Sequence, residues 1–295
     1  MHCVTPLTDE DFKAALALRW QVLRAPWQQP PGSEQDQWDA TAWHLVIKDQ
    51  GLVVATGRLH QPAVGTGQLR YMAVAPDYRG QGLGKKLLAG LLALADSLGM
   101  QQLLLNARDS AVSFYQQAGF VVTGPGDTLF GEIAHQQMAM ALSGALATLA
   151  TTLTNTWHET IPLAKFMTLR ATAFNGEQLL TEADFAPNSN LHGTLFAGAH
   201  AALATLTAWG RVWWQLQQQG LDGDIVLAKS EIRYRRPLVD APRGFSLPVA
   251  NWQSLGKLRQ GERARVTVEA VISGAGLAPP ASVFSGQFVV LPKTA

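Results

Sequence analysis

The chain has 295 residues, of which 47% are hydrophobic and 15% charged, and its net charge is +1. This length predicts two domains, the apolar content excludes a largely disordered chain, and the near-neutral balance argues against nucleic acid as a partner. The single cysteine, Cys3, excludes an internal disulfide and a cysteine-based zinc site, and we expect no metal. Residues 1–12 lack a basic stretch followed by an apolar run, so we expect no secretion signal and a cytoplasmic location.

Helices and strands alternate in the first half of the chain, which predicts a mixed α/β domain over residues 1–145. Apolar residues at helical spacing follow a Thr-Asp-Glu-Asp segment and predict a helix over residues 7–23. The same reasoning predicts helices over residues 82–99 and 110–118. Short apolar or alternating runs predict strands over residues 43–48, 52–59, 68–74, 103–106 and 120–123.

The second half contains one long helix and many strands, which predicts an antiparallel sheet wrapped around that helix, in an α+β domain over residues 146–295. An uncharged segment, residues 141–154, predicts a helical connector. The long helix begins near Gly193, and its glycines and polar residues argue against a membrane span. The remaining predicted elements are a helix over residues 157–166 and strands over residues 179–185, 224–234, 245–252, 264–272 and 282–291.

A glycine-rich turn joins the strand that ends at Val74 to the following helix. Its sequence is Arg79-Gly80-Gln81-Gly82-Leu83-Gly84. Glycines let the backbone approach a ligand closely, and free amides at a helix N-terminus attract anions, so the turn predicts a diphosphate site. The glycine spacing differs from the dinucleotide-binding fingerprint, and the Lys-[Ser/Thr] pair of a P-loop is missing from this turn.

Arg79, Gly82 and Gly84 match the motif Gln/Arg-x-x-Gly-x-Gly/Ala, and residues 5–141 resemble the GNAT N-acetyltransferases. The resemblance implies a GNAT fold with acetyl-CoA as a substrate. It places the CoA site on the turn, the preceding strand and the end of the next strand, at Met72, Ala73, Val74, Arg79, Gly80, Gln81, Gly82, Leu83, Gly84 and Asn106. Acetylation of an amine and simple CoA sensing both fit this resemblance.

Two further segments strengthen the GNAT resemblance. Residues 111–120 resemble the GNAT helix-turn-strand, which makes Tyr115 the candidate general acid for the leaving thiolate, because phenol and thiol pKa values are close. A half-buried core aromatic is the structural alternative for this tyrosine. Residues 130–138 resemble the closing strand of a GNAT subgroup, and Glu132 and His135 stand where that subgroup carries a glutamate and a histidine. Glu132 is the candidate base for the acceptor amine.

The second half resembles the hot-dog fold of acyl-CoA and acyl-ACP thioesterases, over residues 153–293. The resemblance rests on the Asn-x-x-x-His-Gly-like start of the long helix and on the strands after it. It implies a thioester ligand and a homodimer with sites at its interface. One thioesterase group carries an acid about nine residues after this start, but here that position is Ala201, and residues 191–221 contain no Asp or Glu. His200 is a candidate replacement for the acid.

The segment Ala-Pro-Asn-Ser-Asn-Leu-His closely resembles the hot-dog malonyl-ACP decarboxylases, whose matching catalytic residue is Asn190 here. Decarboxylation needs hydrogen-bond donors to the thioester oxygen rather than a base, and Thr205 and Thr207 are candidate second donors. A helix cap is the alternative for Asn190, and back-bonding within the helix is the alternative for the threonines. Thioester hydrolysis, or a non-catalytic acyl-CoA-binding domain, also fits. The cationic side chains expected to attract an acidic acyl carrier protein, or CoA phosphates, are Arg233, Arg235 and Arg236.

Overall fold

A computed structural model describes residues 1–5, 8–276 and 278–293. Contacts within the chain divide it into two units, Met1–Ala147 and Thr148–Ala295. Leu7, the predicted first residue of the first helix, lies outside the described residues.

The first unit is a seven-stranded mixed sheet with helices packed on it. Its elements in chain order are β1 (His2–Val4), α1 (Asp9–Leu23), β2 (Trp43–Asp49), β3 (Leu52–Ala63), β4 (Thr66–Val74), α2 (Leu83–Ser97), β5 (Gln102–Arg108), α3 (Val112–Gln116), β6 (Val121–Pro125) and β7 (His135–Ala141). The strand order is β1-β2-β3-β4-β5-β7-β6. Among the described strands of this unit, β4 and β5 alone pair in parallel.

The parallel pair β4 and β5 separates after a short contact. Its register runs from Thr66 opposite Gln102 to Gln68 opposite Leu104, and the later residues of both strands no longer pair with each other. On its other side, β4 contains a bulge, since Tyr71 adopts a left-handed φ of 56° and the register with β3 shifts there. Gly57 faces this bulge, because a Cβ there would lie 2.8 Å from the sulfur of Met72. The separation opens the sheet between the C-terminal ends of β4 and β5.

Local sequence determines where the two long helices of this unit begin. Thr8 precedes α1, and its hydroxyl accepts a hydrogen bond from the amide of Asp11 (3.1 Å), which satisfies one of the free N–H groups of the first turn. Gly82 precedes α2 with a left-handed φ of 76°, a conformation that glycine adopts without strain. The apolar side of α2 is buried against the sheet and includes Leu87 and Leu91.

The second unit is a six-stranded antiparallel sheet with one long helix against it. Its elements are α4 (Ala145–Thr160), which begins in the preceding unit, α5 (Pro162–Phe166), β8 (Arg170–Phe174), β9 (Leu179–Glu182), α6 (Ala197–Gln218), β10 (Asp224–Tyr234), β11 (Arg243–Ser246), β12 (Ala264–Ser273) and β13 (Ser282–Leu291). The strand order is β10-β13-β12-β11-β9-β8. This arrangement and the mixed sheet of the first unit confirm the predicted combination of a GNAT-like fold and a hot-dog fold.

Small residues let α6 pack closely on the sheet, but only along part of its length. Ala204 and Ala208 are fully buried, and a Cβ at Gly210 would lie 2.9 Å from the side chain of Leu179 on β9 and 2.5 Å from the ring of Trp157 on α4. Near the N-terminal end of α6, by contrast, the small residues Gly193, Ala197 and Gly198 are exposed. The N-terminal end of α6 is therefore open to a ligand or a partner.

Several boundaries differ from the sequence predictions. The uncharged connector and the first part of the helix predicted over residues 157–166 form one helix, α4, which ends at Thr160. The rest of the predicted helix forms α5, because Pro162 has no N–H to continue the helical ladder. The strand predicted over residues 245–252 ends at Ser246, and β8 was not predicted. In the described part of the chain, every helix is too short or too polar to cross a lipid bilayer.

Candidate functional site

The open edge between β4 and β5 forms a cavity of about 490 Å³. Its lining comes from the end of α1, from β4 and β5, from α3 and from the segment before β7. The predicted CoA-site residues that line it are Met72, Ala73, Val74, Arg79 and Asn106, and the candidate acid Tyr115 lines it as well. Residues predicted from three separate segments thus meet at one cavity.

The glycine-rich turn lies beside this lining, directly after Arg79. Gly80 and Gly82 both adopt a left-handed φ of 76°, and a Cβ at either position would meet no atom within 4 Å. No described side chain caps the first turn of α2, so its amides are available to an anion. The other turn residues lie outside the lining: Gln81 is exposed, Leu83 is buried and Gly84 packs near the ring of Phe114.

Tyr115 is held by neighbouring aromatic rings on α3 and at the start of β6. Its ring makes edge contacts with Phe114 (5.0 Å between centroids) and Phe120 (5.9 Å). Burial raises the pKa of Tyr115 to about 12. The phenol therefore stays protonated at neutral pH, and it is a weaker acid than a thiol with a pKa of ~8.5. This geometry favours hydrogen-bond donation to a leaving sulfur over complete proton transfer.

Glu132 and His135, the two residues matched to the closing strand of the GNAT subgroup, lie in different places. Glu132 is exposed on the tight turn that the bridge between Leu129 and Ile133 closes, outside the cavity lining. His135 is buried, lines the cavity, and has its Nδ1 2.9 Å from the carbonyl oxygen of Ile133. A carbonyl can only accept, so Nδ1 carries the proton and Nε2 is the atom free to act as a base.

Four arginines line the cavity, of which sequence reasoning identified only Arg79. The others are Arg24, Arg70 and Arg108, and Asp127 is the single acidic residue in the lining. Burial lowers the pKa of Arg108, and the positive charges of Arg24 and Arg79 lower it further. The cavity is therefore strongly electropositive.

The ring of Tyr71 links this cavity to a network of paired charges. Its hydroxyl lies 3.2 Å from Asp36, which also accepts hydrogen bonds from Arg58 (2.6 and 2.9 Å) and Arg70 (3.2 Å). Burial acts to raise the pKa of Asp36, but the hydrogen bond from Arg58 and the nearby positive charges lower it to about 2. Asp36 is therefore ionised and neutralises part of the charge around the cavity wall.

Asn190 in the second unit lies in a tight loop before α6. Its Oδ1 accepts hydrogen bonds from the amides of His192 (2.9 Å) and Thr194 (3.3 Å), and its Nδ2 donates to the hydroxyl of Thr194 (3.0 Å). Phe196, and not Asn190, occupies the N-cap position of α6. Within the described chain, one Nδ2 hydrogen of Asn190 therefore remains for a ligand.

The two candidate threonines occupy opposite environments on α6. Thr207 is fully buried, and its hydroxyl donates to the carbonyl of Leu203 (2.7 Å) and lies 2.6 Å from the hydroxyl of Thr181. This hydroxyl joins the helix to β9 and is not accessible to a substrate. Thr205 is half-buried and makes no hydrogen bond with its side chain among the described residues.

His200 is buried next to the sheet. Its Nδ1 lies 3.0 Å from the hydroxyl of Ser282, its ring packs edge-on against Tyr234, and burial lowers its pKa. These contacts make His200 part of the packed core.

The three arginines expected to attract an acyl carrier protein lie at and after the end of β10. The side chains of Arg233 and Arg235 are exposed, Arg233 pairs with Glu231 (2.8 Å), and Arg236 donates to the carbonyl of Pro279 (2.6 Å). Within residues 1–5, 8–276 and 278–293, no group of three His, Cys, Asp or Glu side chains could hold a metal ion.

Comparisons with known proteins divide the chain in the same way. Residues 12–120 match the family described as Acetyltransferase (GNAT) family, and residues 150–292 match the family described as Putative thioesterase (yiiD_Cterm). The chain is 29% identical to the uncharacterized N-acetyltransferase YjcF of Bacillus subtilis over 138 residues, which is 47% of this chain and 98% of YjcF.

Two solved structures each resemble half of the chain. A putative thioesterase from Shewanella oneidensis is 39% identical, and the match covers 50% of this chain and 99% of that protein with a TM-score of 0.46. An acyl-CoA N-acyltransferase from Pseudomonas aeruginosa is 27% identical, and the match covers 47% of this chain and 97% of that protein with a TM-score of 0.43.

Proposed function

Because the chain joins a GNAT acetyltransferase domain to a thioesterase-family domain with the hot-dog fold, we propose that it is a two-domain enzyme of acyl thioesters. The first domain transfers the acetyl group of acetyl-CoA to an amine. The second decarboxylates malonyl-ACP to acetyl-ACP, the thioester that starts fatty-acid synthesis.

The acetyl-transfer proposal depends on the single cavity that brings together Val74, Arg79 and Tyr115. The diphosphate of acetyl-CoA binds the free amides at the start of α2 and the Arg79 side chain, and its pantetheine arm pairs with the backbone at the end of β4. The amine nitrogen forms a bond to the acetyl carbon while the C–S bond breaks. The Tyr115 hydroxyl donates a hydrogen bond to the departing sulfur, and Nε2 of His135 takes the proton that the nitrogen loses.

This proposal is tested by calorimetric titration of acetyl-CoA into the wild-type chain and into a Gly82→Trp variant. An indole at an open, left-handed position would occupy the space in front of the free amides, so we expect acetyl-CoA binding to be lost. Lys13→Gln, on the exposed side of α1, is the control and should bind as the wild type does. Equal binding by Gly82→Trp would contradict the diphosphate site.

The decarboxylation proposal depends on what the loop before α6 and the third turn of α6 offer a thioester. The free Nδ2 hydrogen of Asn190 and the unbonded hydroxyl of Thr205 are donors, whereas residues 191–221 contain no carboxylate that could activate water. The bond between the carboxylate and the α-carbon of the malonyl group breaks and CO₂ leaves. Its electron pair forms an enolate, whose oxygen the two donors stabilise, and water then protonates the α-carbon to give the acetyl thioester.

Thioester hydrolysis is the second candidate, and the description of the matching family favours it. The two reactions give different products from the same substrate. Decarboxylation yields CO₂ and acetyl-ACP, whereas hydrolysis yields malonate and the free thiol of the carrier.

We further propose that the hot-dog domain acts as a homodimer. The strand β10 is 11 residues long and lies at the end of the sheet, so one of its edges is unpaired in the described chain. Apolar side chains near the Asn190 loop and the end of β10 are also exposed, including Leu191 (90%), Phe196 (55%) and Tyr234 (51%). A second copy would cover both features, and sedimentation analysis showing only a monomer would contradict it. The exposed Arg233 and Arg235, and the half-buried Arg236, would then attract the acidic carrier.

Mass spectrometry of malonyl-ACP after incubation with the purified chain separates these activities. We expect acetyl-ACP from the wild type and unchanged malonyl-ACP from Asn190→Ala and Thr205→Val. Lys257→Gln, an exposed residue of the same unit that lies outside β10 and the Asn190 loop, is the matched control and should give acetyl-ACP. Malonate with free carrier would establish hydrolysis in place of decarboxylation.

A further inference from the structure

We infer that the amine accepted by the GNAT domain carries an anionic group, a carboxylate or a phosphate, which binds between Arg24 and Arg108. The inference rests on the proposed acetyl transfer and names the class of its second substrate. It follows from the way in which the cavity arginines are held and paired.

Arg24 is held in place by neutral groups, not by a carboxylate. Its Nε donates to the carbonyl of Ser33 (2.9 Å) and one Nη donates to the carbonyl of Leu23 (3.1 Å). Its guanidinium carbon lies 5.6 Å from the ring centroids of both Tyr71 and Phe130. These contacts fix the guanidinium and use two of its five N–H groups, which leaves three for a ligand.

Arg108 has even fewer contacts within the protein. It is half-buried at the end of β5, and its guanidinium makes no hydrogen bond or ion pair with any described residue. A half-buried cation close to other cations is electrostatically unfavourable unless an anion binds it. By contrast, Arg70 at the same cavity already has a partner in Asp36.

The cosubstrate does not account for all of this charge. The predicted diphosphate site consists of Arg79 and the free amides of α2, and it includes neither Arg24 nor Arg108. Arg70 is neutralised by Asp36, and Asp127 is exposed. Arg24 and Arg108 therefore remain as two planar donor groups, the geometry that binds carboxylate and phosphate oxygens in pairs.

The positive cavity also suits the chemistry of the acceptor. An uncharged amine is the nucleophile, and positive charges nearby disfavour its ammonium form. The same charges would repel a simple cationic amine, so binding has to come from another part of the acceptor. An anionic group on the acceptor supplies that attraction while leaving the amine free to react.

The test is calorimetric titration of the CoA-saturated full-length chain with matched amines at constant ionic strength. The pairs are 2-aminoethyl phosphate with ethanolamine, and β-alanine with β-alaninamide. We expect at least one amine with an anionic group to bind and both partners that lack this group to show no binding, and the pair that responds identifies the phosphate or the carboxylate. Saturating CoA occupies the diphosphate site, so the signal does not come from that site.

Variants then locate the anion. Arg24→Gln and Arg108→Gln should each weaken binding of the anionic amine about tenfold or more, while CoA affinity, which also reports correct folding, changes little. Lys13→Gln removes an equal charge outside the cavity and should bind as the wild type does. The inference would be overturned if neither amine with an anionic group bound, if the amines without that group bound equally well, or if both arginine variants kept wild-type affinity. Failure of the wild type to bind CoA would instead contradict the proposed acetyl transfer, and the inference with it.

Discussion

Replacing Thr207 and Thr205 separately by valine distinguishes a structural hydroxyl from a catalytic one on the same helix. Valine has a similar shape but lacks the hydroxyl. Thr207→Val removes the donor to Leu203 and leaves the hydroxyl of Thr181 with one long contact to the carbonyl of Gly244 (3.4 Å). Loss of one buried partner costs about 1–3 kcal/mol, which corresponds to a fall of roughly 2–10 °C in the melting temperature of a unit of this size.

Thr205→Val should have the opposite effect. Its hydroxyl makes no described hydrogen bond, so we expect a stability change within about 0.5 kcal/mol but a loss of malonyl-ACP turnover. The assay combines differential scanning calorimetry with mass spectrometry of the acyl carrier at a temperature where both variants are folded. A Thr207→Val chain that melts like the wild type but is inactive would refute the structural role of Thr207. An active Thr205→Val chain would remove Thr205 from the site.

Three further predictions concern the rest of the molecule. His44 is largely buried, with Nδ1 accepting from Arg19 (2.8 Å) and Nε2 donating to the carbonyl of Asp39 (2.9 Å), and desolvation lowers its pKa to about 4. The unfolded chain then binds the proton more readily, so stability falls as pH drops from about 6.5 to 4, by about 3 kcal/mol in urea titrations. Tyr115→Phe should lower kcat for acetyl transfer about tenfold with KM for acetyl-CoA unchanged, in steady-state assays of thiol release. Gly244→Ala should destabilise the chain by about 2 kcal/mol in thermal melts, because the new Cβ would collide with Thr207 and Thr181.

Each of these predictions has a contradicting result. If a His44→Gln chain loses as much stability between pH 6.5 and 4 as the wild type does, another group causes the loss. Burial raises the pKa of Tyr115 to about 12, so its ionisation should not lower activity near pH 10. If wild-type activity fell near pH 10 and the Tyr115→Phe chain showed no such fall, the buried environment of Tyr115 would be contradicted. A Gly244→Ala chain with unchanged melting would show that the helix and sheet can separate locally, and Gly256→Ala, where a Cβ meets nothing within 4 Å, is its control.

Sequence by itself determined the parts of this protein that depend on neighbouring residues. The turn from Arg79 to Gly84 could be predicted because its features are local. These are the left-handed backbone at Gly80 and Gly82 and the free amides at the start of α2. Hydrophobic periodicity likewise located most helices and strands of both folds, although the short strand β8 gave too little pattern to be predicted.

The tertiary structure alone decided which side chains share a site. Arg24, Arg70 and Arg108 come from three separate segments and meet because β4 and β5 separate. No local sequence pattern predicts that separation. Thr205 and Thr207 differ in the same way, since residues two apart on a helix point to nearly opposite sides. The packing of β9 and β11 determines which of those sides is buried, and that contact joins residues 26 positions apart in the chain.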